Sequence, residues 1–459
     1  MSDMLKQSIS VYLYLLLSVP LLSGQETPQT LYQFTGQENV CEVLSAVSVG
    51  FNAQIHKDCV YLGFYAPDHS MVIGKKSLKE NHWEFKTLPT KIGWDSHNYI
   101  TMVFDNNDYL HVAGNMHACP LIYFRAEKPD DIQSLVQRDR MTGNREKLMT
   151  YPCFLFDKEH HLIFTYRDGV SGNGSQIWNI YSEETQSWSP LLDQPMFDGE
   201  NLRNAYFLSP KQGPDGYFHI CWVWRDTPDC ATNHDISYAR SPDLRSWEDS
   251  SGNPIELPIT LAKGEIVDPV PVGGGILNSL QSLSFDNQGQ VILSYTKYDE
   301  NGHIQIWNAR REKDGWHRVQ ASDFDLDWHF SGGGSIINEL QLSGVGVDGQ
   351  KNLVQSWKMP LRHQSGKWYL DKVTLKPTQD FVKPDKPEIP QFNKEEEQKI
   401  NAIEHADDRM QARSMYVPHA DELMIFRWET LPSNRDHKTE GEIPDPAQLR
   451  ILKFKQNRQ

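Results

Sequence analysis

Phe104-Asp105-Asn106-Asn107-Asp108-Tyr109-Leu110-His111-Val112 links two β-prone runs through an Asp/Asn turn. Asp, Asn and Gly tolerate the partly left-handed backbone of tight antiparallel connections, so the stretch predicts a hairpin. Related stretches recur: HKDCVYLGFY (56–65), FDKEHHLIF (156–164), GPDGYFHI (213–220), FDNQGQVIL (285–293) and GVDGQKNLV (346–354). Their turn aspartates, at 58, 105, 157, 215, 286 and 348, are separated by 47, 52, 58, 71 and 62 residues. Trp83, Trp188, Trp247, Trp316 and Trp368 close five of the units. A period of this size, with short strands and turn signals, belongs to radially repeated β architectures. A seventh unit can be assembled from Met424–Trp428 and Leu449–Phe454 with a strand from the N-terminal region. Closure by both chain ends would protect the ring from an open edge. The expectation is an all-β, seven-bladed β-propeller, with residues 25–459 forming a single domain.

The bulk numbers narrow the partners. A formal charge of −16 lacks the basic excess that a phosphate-binding surface needs, which excludes nucleic acid as the expected ligand. The first residues read as a signal peptide, 1–24: Lys6, an apolar run from Val11 to Leu22, then Ser23 and Gly24. That run is shorter than the roughly 20 residues of a membrane span, so the chain is expected to be secreted or periplasmic with no span. Six cysteines in a chain able to bury its own core do not indicate a disulfide-stapled miniprotein. Helix is expected in one place, an excursion over 391–413, where Glu and Lys pairs follow the Pro-rich 384–390.

Four constellations carry candidate chemistry. His97 and His117 lie on either side of a hairpin near Asn106 and Asn107, which would bring both imidazoles to one end of a blade, beside Gly114 and Asn115. Tyr151 is followed across another hairpin by Arg167 and a glycine-rich run through Gly174; glycine permits close backbone approach, and arginine offers a planar fork for a carboxylate. Tyr206 is followed by Arg225, which is costly inside a strand unless it pairs with Asp226 or another carboxylate, or faces a substrate. His219, Cys221, Cys230 and His234 have the donor types of a tetrahedral zinc site; a Cys221–Cys230 disulfide is the competing reading.

Together the segments GWDSHNYI (93–100), GNMHACPLIYFR (114–125), MTYP (149–152), YRDGVSGNG (166–174), WVWRDTPDCATNHDISYAR (222–240) and FRWETLPSNRD (426–436) resemble the BNR-repeat-like propeller group of polysaccharide-degrading proteins. That group includes ulvan lyases and enzymes that release rhamnose from rhamnosyl-α-1,4-glucuronate. The resemblance implies a lyase centre, with His97 and His117 as paired active-site histidines and Tyr151 as the acid/base. It gives Arg167 the substrate uronate, Tyr206 a further substrate-side place, and the Cys/His cluster a structural metal, with zinc expected and no organic cofactor. Asn115 and Arg225 complete the expected substrate contacts. The expected partner is an acidic polysaccharide or oligosaccharide, cleaved at the bond to O4 of a glucuronate by β-elimination. His56 resembles the single catalytic histidine of rhamnosidase-type members, which leaves hydrolysis open beside elimination. A plain blade-turn role for His56 also fits the sequence, as does a propeller that binds glycans without cleaving them.

Overall fold

The computed structural model describes residues 30–382 and 391–457. The expected signal peptide and the Pro-rich 384–390 lie outside them. Contacts divide the described residues into two compact units: 30–140 with 391–457, and 141–382. The described residues are almost entirely antiparallel sheet, in the all-β propeller class.

In the first unit, one sheet runs from Asn52–His56 to Glu84–Lys91, and a second from Ile100–Phe104 to Leu135–Gln137. A third has the order Tyr32–Val43, Ala447–Gln456, Glu422–Thr430, Gln411–His419. The second unit holds four sheets, whose turn hairpins contain Asp157, Asp215, Asp286 and Asp348. The expectation of a seven-bladed propeller is therefore corrected to six blades: six sheets carry the aspartate-turn hairpin, and the remaining sheet is a composite of both chain ends without it. That composite is the closure expected from the sequence, with Tyr32 opposite Gln456 and Val43 opposite Ala447.

The turns follow from the aspartate side chain. Asp105 Oδ1 accepts the amides of Asn107 (3.0 Å) and Tyr109 (2.9 Å), Asp286 Oδ1 those of Gln288 and Gln290 (both 2.9 Å), and Asp348 Oδ1 those of Gln350 (2.9 Å) and Asn352 (2.7 Å). One carboxylate thus satisfies two otherwise unpaired backbone donors. The left-handed residue comes three positions later, at Asp108 (φ 66°), His160 (φ 65°), Gly289 (φ 82°) and Lys351 (φ 61°). Asp58 departs from this pattern: its turn has two residues, and its carboxylate meets Lys79 at 2.6 Å.

Alternating strand faces then fill each unit's core. In the first unit, Phe51 stacks on Trp428 at 4.5 Å among Val43, Val60, Phe426 and Ile451. In the second, Trp178, Trp222 and Trp224 are buried with Phe197 and Ile220. Full burial of a large apolar side chain is worth about 1.5–3 kcal/mol, so these rings carry much of the stability.

The expected excursion 391–413 is helical only over Lys394–Asn401; Gln411–His419 is already strand. Asn393 caps the helix and Glu396 reaches back to the cap amide, completing a capping box. Glu396 also accepts the Phe34 amide (3.0 Å), while buried Arg427 donates to the Ile400 carbonyl (2.7 Å) and to that of Ala402. Ile400 and Phe392 close over Leu423, Ile425, Leu452 and Phe454. The helix therefore covers one face of the composite sheet.

Candidate active site

In the first unit, the hairpin through Asn106 and Asn107 brings His97 and His117 together, with ring centroids 4.7 Å apart. Sequence reasoning missed the groups that hold them. Asp95 Oδ1 accepts the His97 amide (2.8 Å) and lies 2.9 Å from His97 Nδ1, while Asp95 Oδ2 bonds His117 Nδ1. Asp436 Oδ2 lies 3.1 Å from His97 Nδ1, and Asp436 Oδ1 accepts from the Ser96 amide (3.1 Å) and hydroxyl (2.6 Å). Burial opposes charge on His97, but hydrogen bonds and attraction from Asp436 and Asp95 raise its imidazole to about 9. Burial likewise opposes charge on Asp95, and the histidines hold its carboxyl well below the usual range.

The loop carrying His117 is fixed by its neighbours. A Cβ on Gly114 would lie 2.8 Å from the Tyr99 carbonyl, so only glycine lets the strands approach there. Asn115, expected on the substrate, sits at φ 57° and donates to Thr90 Oγ1 (2.7 Å) and the Lys91 carbonyl (3.0 Å). Its amide nitrogen is committed to the loop.

In the second unit, strand Met149–Phe156 slips register between Thr150 and Cys153, and Tyr151 occupies the bulge at φ 57°. An aromatic residue in left-handed backbone costs on the order of 1–3 kcal/mol and is held by its surroundings. Bulges re-aim side chains, and this one sets the Tyr151 ring 5.0 Å from the Arg167 guanidinium. Arg167 was expected to meet a substrate carboxylate. It is instead enclosed, with 0% exposure, donating to Thr150 Oγ1 (3.0 Å) and Tyr206 Oη (3.4 Å). Tyr206 keeps 8% exposure and pairs its hydroxyl with Ser171 Oγ (2.8 Å) in the glycine-rich turn. Its ring lies 6.2 Å from that of Tyr151 and 5.5 Å from the Arg225 guanidinium.

No acid closes this set. Asp168, next to Arg167 in sequence, points the other way and meets Arg145 at 3.4 Å, as strand alternation requires. Arg225 was expected to bridge to Asp226 or another carboxylate, or to face substrate. It donates instead to the carbonyls of Thr227 (3.0 Å) and Pro228, while Asp226 pairs with Arg203 and His234 (both 3.1 Å). Among the described residues, no carboxylate lies within 4.0 Å of either guanidinium.

The four residues expected to hold zinc do not converge. His219 spends its nitrogens on Tyr238 Oη (2.6 Å) and Asp215 (3.0 Å), and His234 spends its own on Asp235 (2.8 Å) and Asp226. Cys221 keeps a free thiol, which burial pushes up, and it packs with Val223 and Ile236. Cys230 belongs to a different apolar cluster, with Leu277 and Leu326. Register explains the separation: His234 pairs with Trp224, three residues along the strand from Cys221. Neither the metal site nor the Cys221–Cys230 disulfide is formed.

His56 has other partners. Its ring lies flat on Phe104 at 3.9 Å, and Nε2 meets Asp108 at 2.8 Å and Asp130 at 3.5 Å. Lys57 bridges the same two carboxylates at 2.7 and 2.6 Å. The group ties neighbouring turns of two sheets together. Three donors lie within 4.8 Å of one another here, as they do at Asp95, His97 and His117, and each trio is closed by its own internal bonds.

The repeated antiparallel hairpin sheets define a β-propeller. The chain belongs to the family described as BNR repeat-containing, whose model matches residues 59–324. No curated protein matches the chain. Among solved structures, the polysaccharide lyase Uly1 is 13% identical with a TM-score of 0.57, covering 94% of this chain and 98% of its own. A PL25 ulvan lyase bound to -[GlcA(1-4)Rha3S]- is 12% identical with a TM-score of 0.48, covering 90% and 86%. At such identities the likeness is one of fold.

Proposed function

We propose that the chain is a polysaccharide lyase acting on an acidic glycan. The observation that carries the reading is the second-unit cluster: two buried guanidinium groups without a carboxylate partner, behind two tyrosines, one of them held in strained backbone. Buried cations without a counterion are costly, so the arrangement favours an anionic ligand at its face. A uronate fits that requirement. In β-elimination a base removes the proton at C5, charge spreads onto the neighbouring carboxyl group, and an acid protonates the departing O4. Fixed positive charge then stabilises the developing negative charge. Tyr151 and Tyr206 present hydroxyls for the proton transfers, and Arg167 and Arg225 supply the charge. The resemblance makes His97 and His117 paired active-site histidines. The likeness in fold to a polysaccharide lyase supports the same class.

The finer reading is a lyase that cuts the bond to O4 of a glucuronate and frees terminal rhamnose from rhamnosyl-α-1,4-glucuronate glycans. Hydrolysis through His56 has less support, since Asp108, Asp130 and Phe104 already occupy that side chain. The test is incubation with rhamnosyl-glucuronate glycans and with ulvan, following the ultraviolet absorbance of a C4–C5 unsaturated uronate together with free rhamnose. Absorbance with free rhamnose is the expected result. Rhamnose without unsaturation would make the chain a hydrolase, and neither signal on any acidic glycan would make it a binding propeller.

A further inference from the structure

The two tyrosines of the second-unit cluster are held differently: Tyr151 in a left-handed bulge, Tyr206 by Arg167 and Ser171. Arg167 has no accessible surface, so it cannot be the group that touches a sugar in this arrangement. Its guanidinium is spent on Thr150 Oγ1 and Tyr206 Oη, and its Nε is buried without a partner. Arg225 faces the same Tyr206 ring from the neighbouring strand, Phe218–Arg225. Tyr206 is thus the acid on which two buried cations converge, and Ser171 Oγ, at 2.8 Å, can donate to its oxygen.

We infer that Tyr206 is the general base of the elimination, standing as a phenolate between Arg167 and Arg225 and taking the C5 proton of the uronate. This rests on the lyase reading and assigns the two tyrosines different tasks. As the C5–H bond breaks, the phenolate oxygen gains the proton and the electron pair becomes the C4–C5 double bond. The C4–O4 bond breaks, O4 leaves with its electron pair, and Tyr151 protonates it. One proton arrives on Tyr206 and one departs from Tyr151, and exchange with solvent restores both.

The electrostatics agree. Burial alone would push the Tyr206 phenol up, but the charges of Arg167 and Arg225, with the Ser171 hydrogen bond, outweigh it and hold the phenol below its ordinary value. The charged and titratable groups facing Tyr206 are Arg167 from Leu162–Val170, Arg225 from Phe218–Arg225 and Tyr151 from Met149–Phe156. Arg167 and Arg225 act through Tyr206 and are positioning residues.

The experiment is a spectrophotometric titration of tyrosinate on the full chain without substrate, comparing wild type with Tyr206→Phe. Other buried tyrosines, such as Tyr61 and Tyr166, are pushed up and titrate late, which isolates the difference signal. The expected difference is one tyrosinate with a midpoint below the ordinary value of about 10. It should move upward in Arg225→Met, and Tyr206→Phe should lose turnover. In wild type the acid limb of kcat/KM should follow the spectroscopic midpoint. An ordinary or elevated midpoint, or full activity in Tyr206→Phe, overturns the assignment. If wild type cleaves no acidic glycan, the lyase reading fails and takes the base assignment with it, while the titration still reports the state of Tyr206. The two failures are therefore distinguishable.

Discussion

The histidine set of the first unit and the tyrosine–arginine set of the second handle charge in opposite ways. Around His97 and His117, Asp95 and Asp436 supply two carboxylates, so both imidazoles are oriented and positive charge on His97 is favoured. Around Tyr206, two guanidiniums meet no carboxylate among the described residues, and neutral groups answer them: the Tyr206 phenol and Thr150 hydroxyl for Arg167, and the Thr227 and Pro228 carbonyls for Arg225. The first arrangement resembles the carboxylate–histidine pairs that fix a tautomer for proton transfer. The second brings two guanidiniums together with no carboxylate among the described residues to pair them. Carboxylate-paired imidazoles and carboxylate-free guanidiniums are thus lodged in different stretches of sequence.

The sharpest test of the contrast is Tyr151→Phe, which removes one hydroxyl from the cationic set and leaves the packing nearly unchanged. Turnover on rhamnosyl-glucuronate glycans should fall by at least about 1000-fold with an unchanged circular dichroism spectrum. Retained turnover would take Tyr151 out of the proton path. Next is Asp95→Asn, which keeps shape but removes the charge that orients both histidines. A loss of about 100- to 1000-fold in kcat, with KM little changed, is expected. A change confined to KM would make the histidine set a binding feature.

Arg167→Lys keeps the charge and loses the planar fork between Thr150 and Tyr206. A loss of roughly 10- to 1000-fold is expected, or about 1.4–4 kcal/mol of transition-state stabilisation. The same variant should shift the acid limb of the pH–rate profile upward, which a purely structural defect would not do. The smallest effect concerns stability. His97 is raised from 6.5 to about 9, so its contribution is fully present below about pH 6.5 and disappears as pH rises through 9. Thermal unfolding should show up to about 3 kcal/mol lost across that window, and His97→Gln should flatten it. An unchanged slope in the variant would mean that His97 is not the titrating group.

What could be read in advance follows physical range. Aspartate turns act over two to four residues, so six hairpins were legible from composition and spacing alone. That a strand from the N-terminal region joins Met424–Trp428 and Leu449–Phe454 was legible because an unclosed ring would keep an open edge; which strand it is, Tyr32–Val43, was not. Asp95 could have been found, since an aspartate two residues before His97 can fold back on its amide. Asp436 could not: it reaches Ser96 across 340 residues, and no local pattern announces it. The placement of the Cys/His set was not legible for a related reason. His219 and Cys221 share a strand face, but the position of His234 depends on the register of the next strand, and that placed it beside Trp224. The helix was overextended because charge pairing marks helical tendency without marking where the strand at Gln411 begins.

The composite sheet has a consequence for how the chain is made. Ala447–Gln456 lies between Tyr32–Val43 and Glu422–Thr430, so it is an interior strand whose two neighbours meet only through it. While the ribosome is still translating, Tyr32–Val43 waits with a bare edge for a partner more than 400 residues downstream, and the bond from Ser45 to the Asp445 carbonyl is equally late. A premature stop just before Ala447 would therefore open the sheet at its middle, leaving two bare strand edges that the finished chain covers.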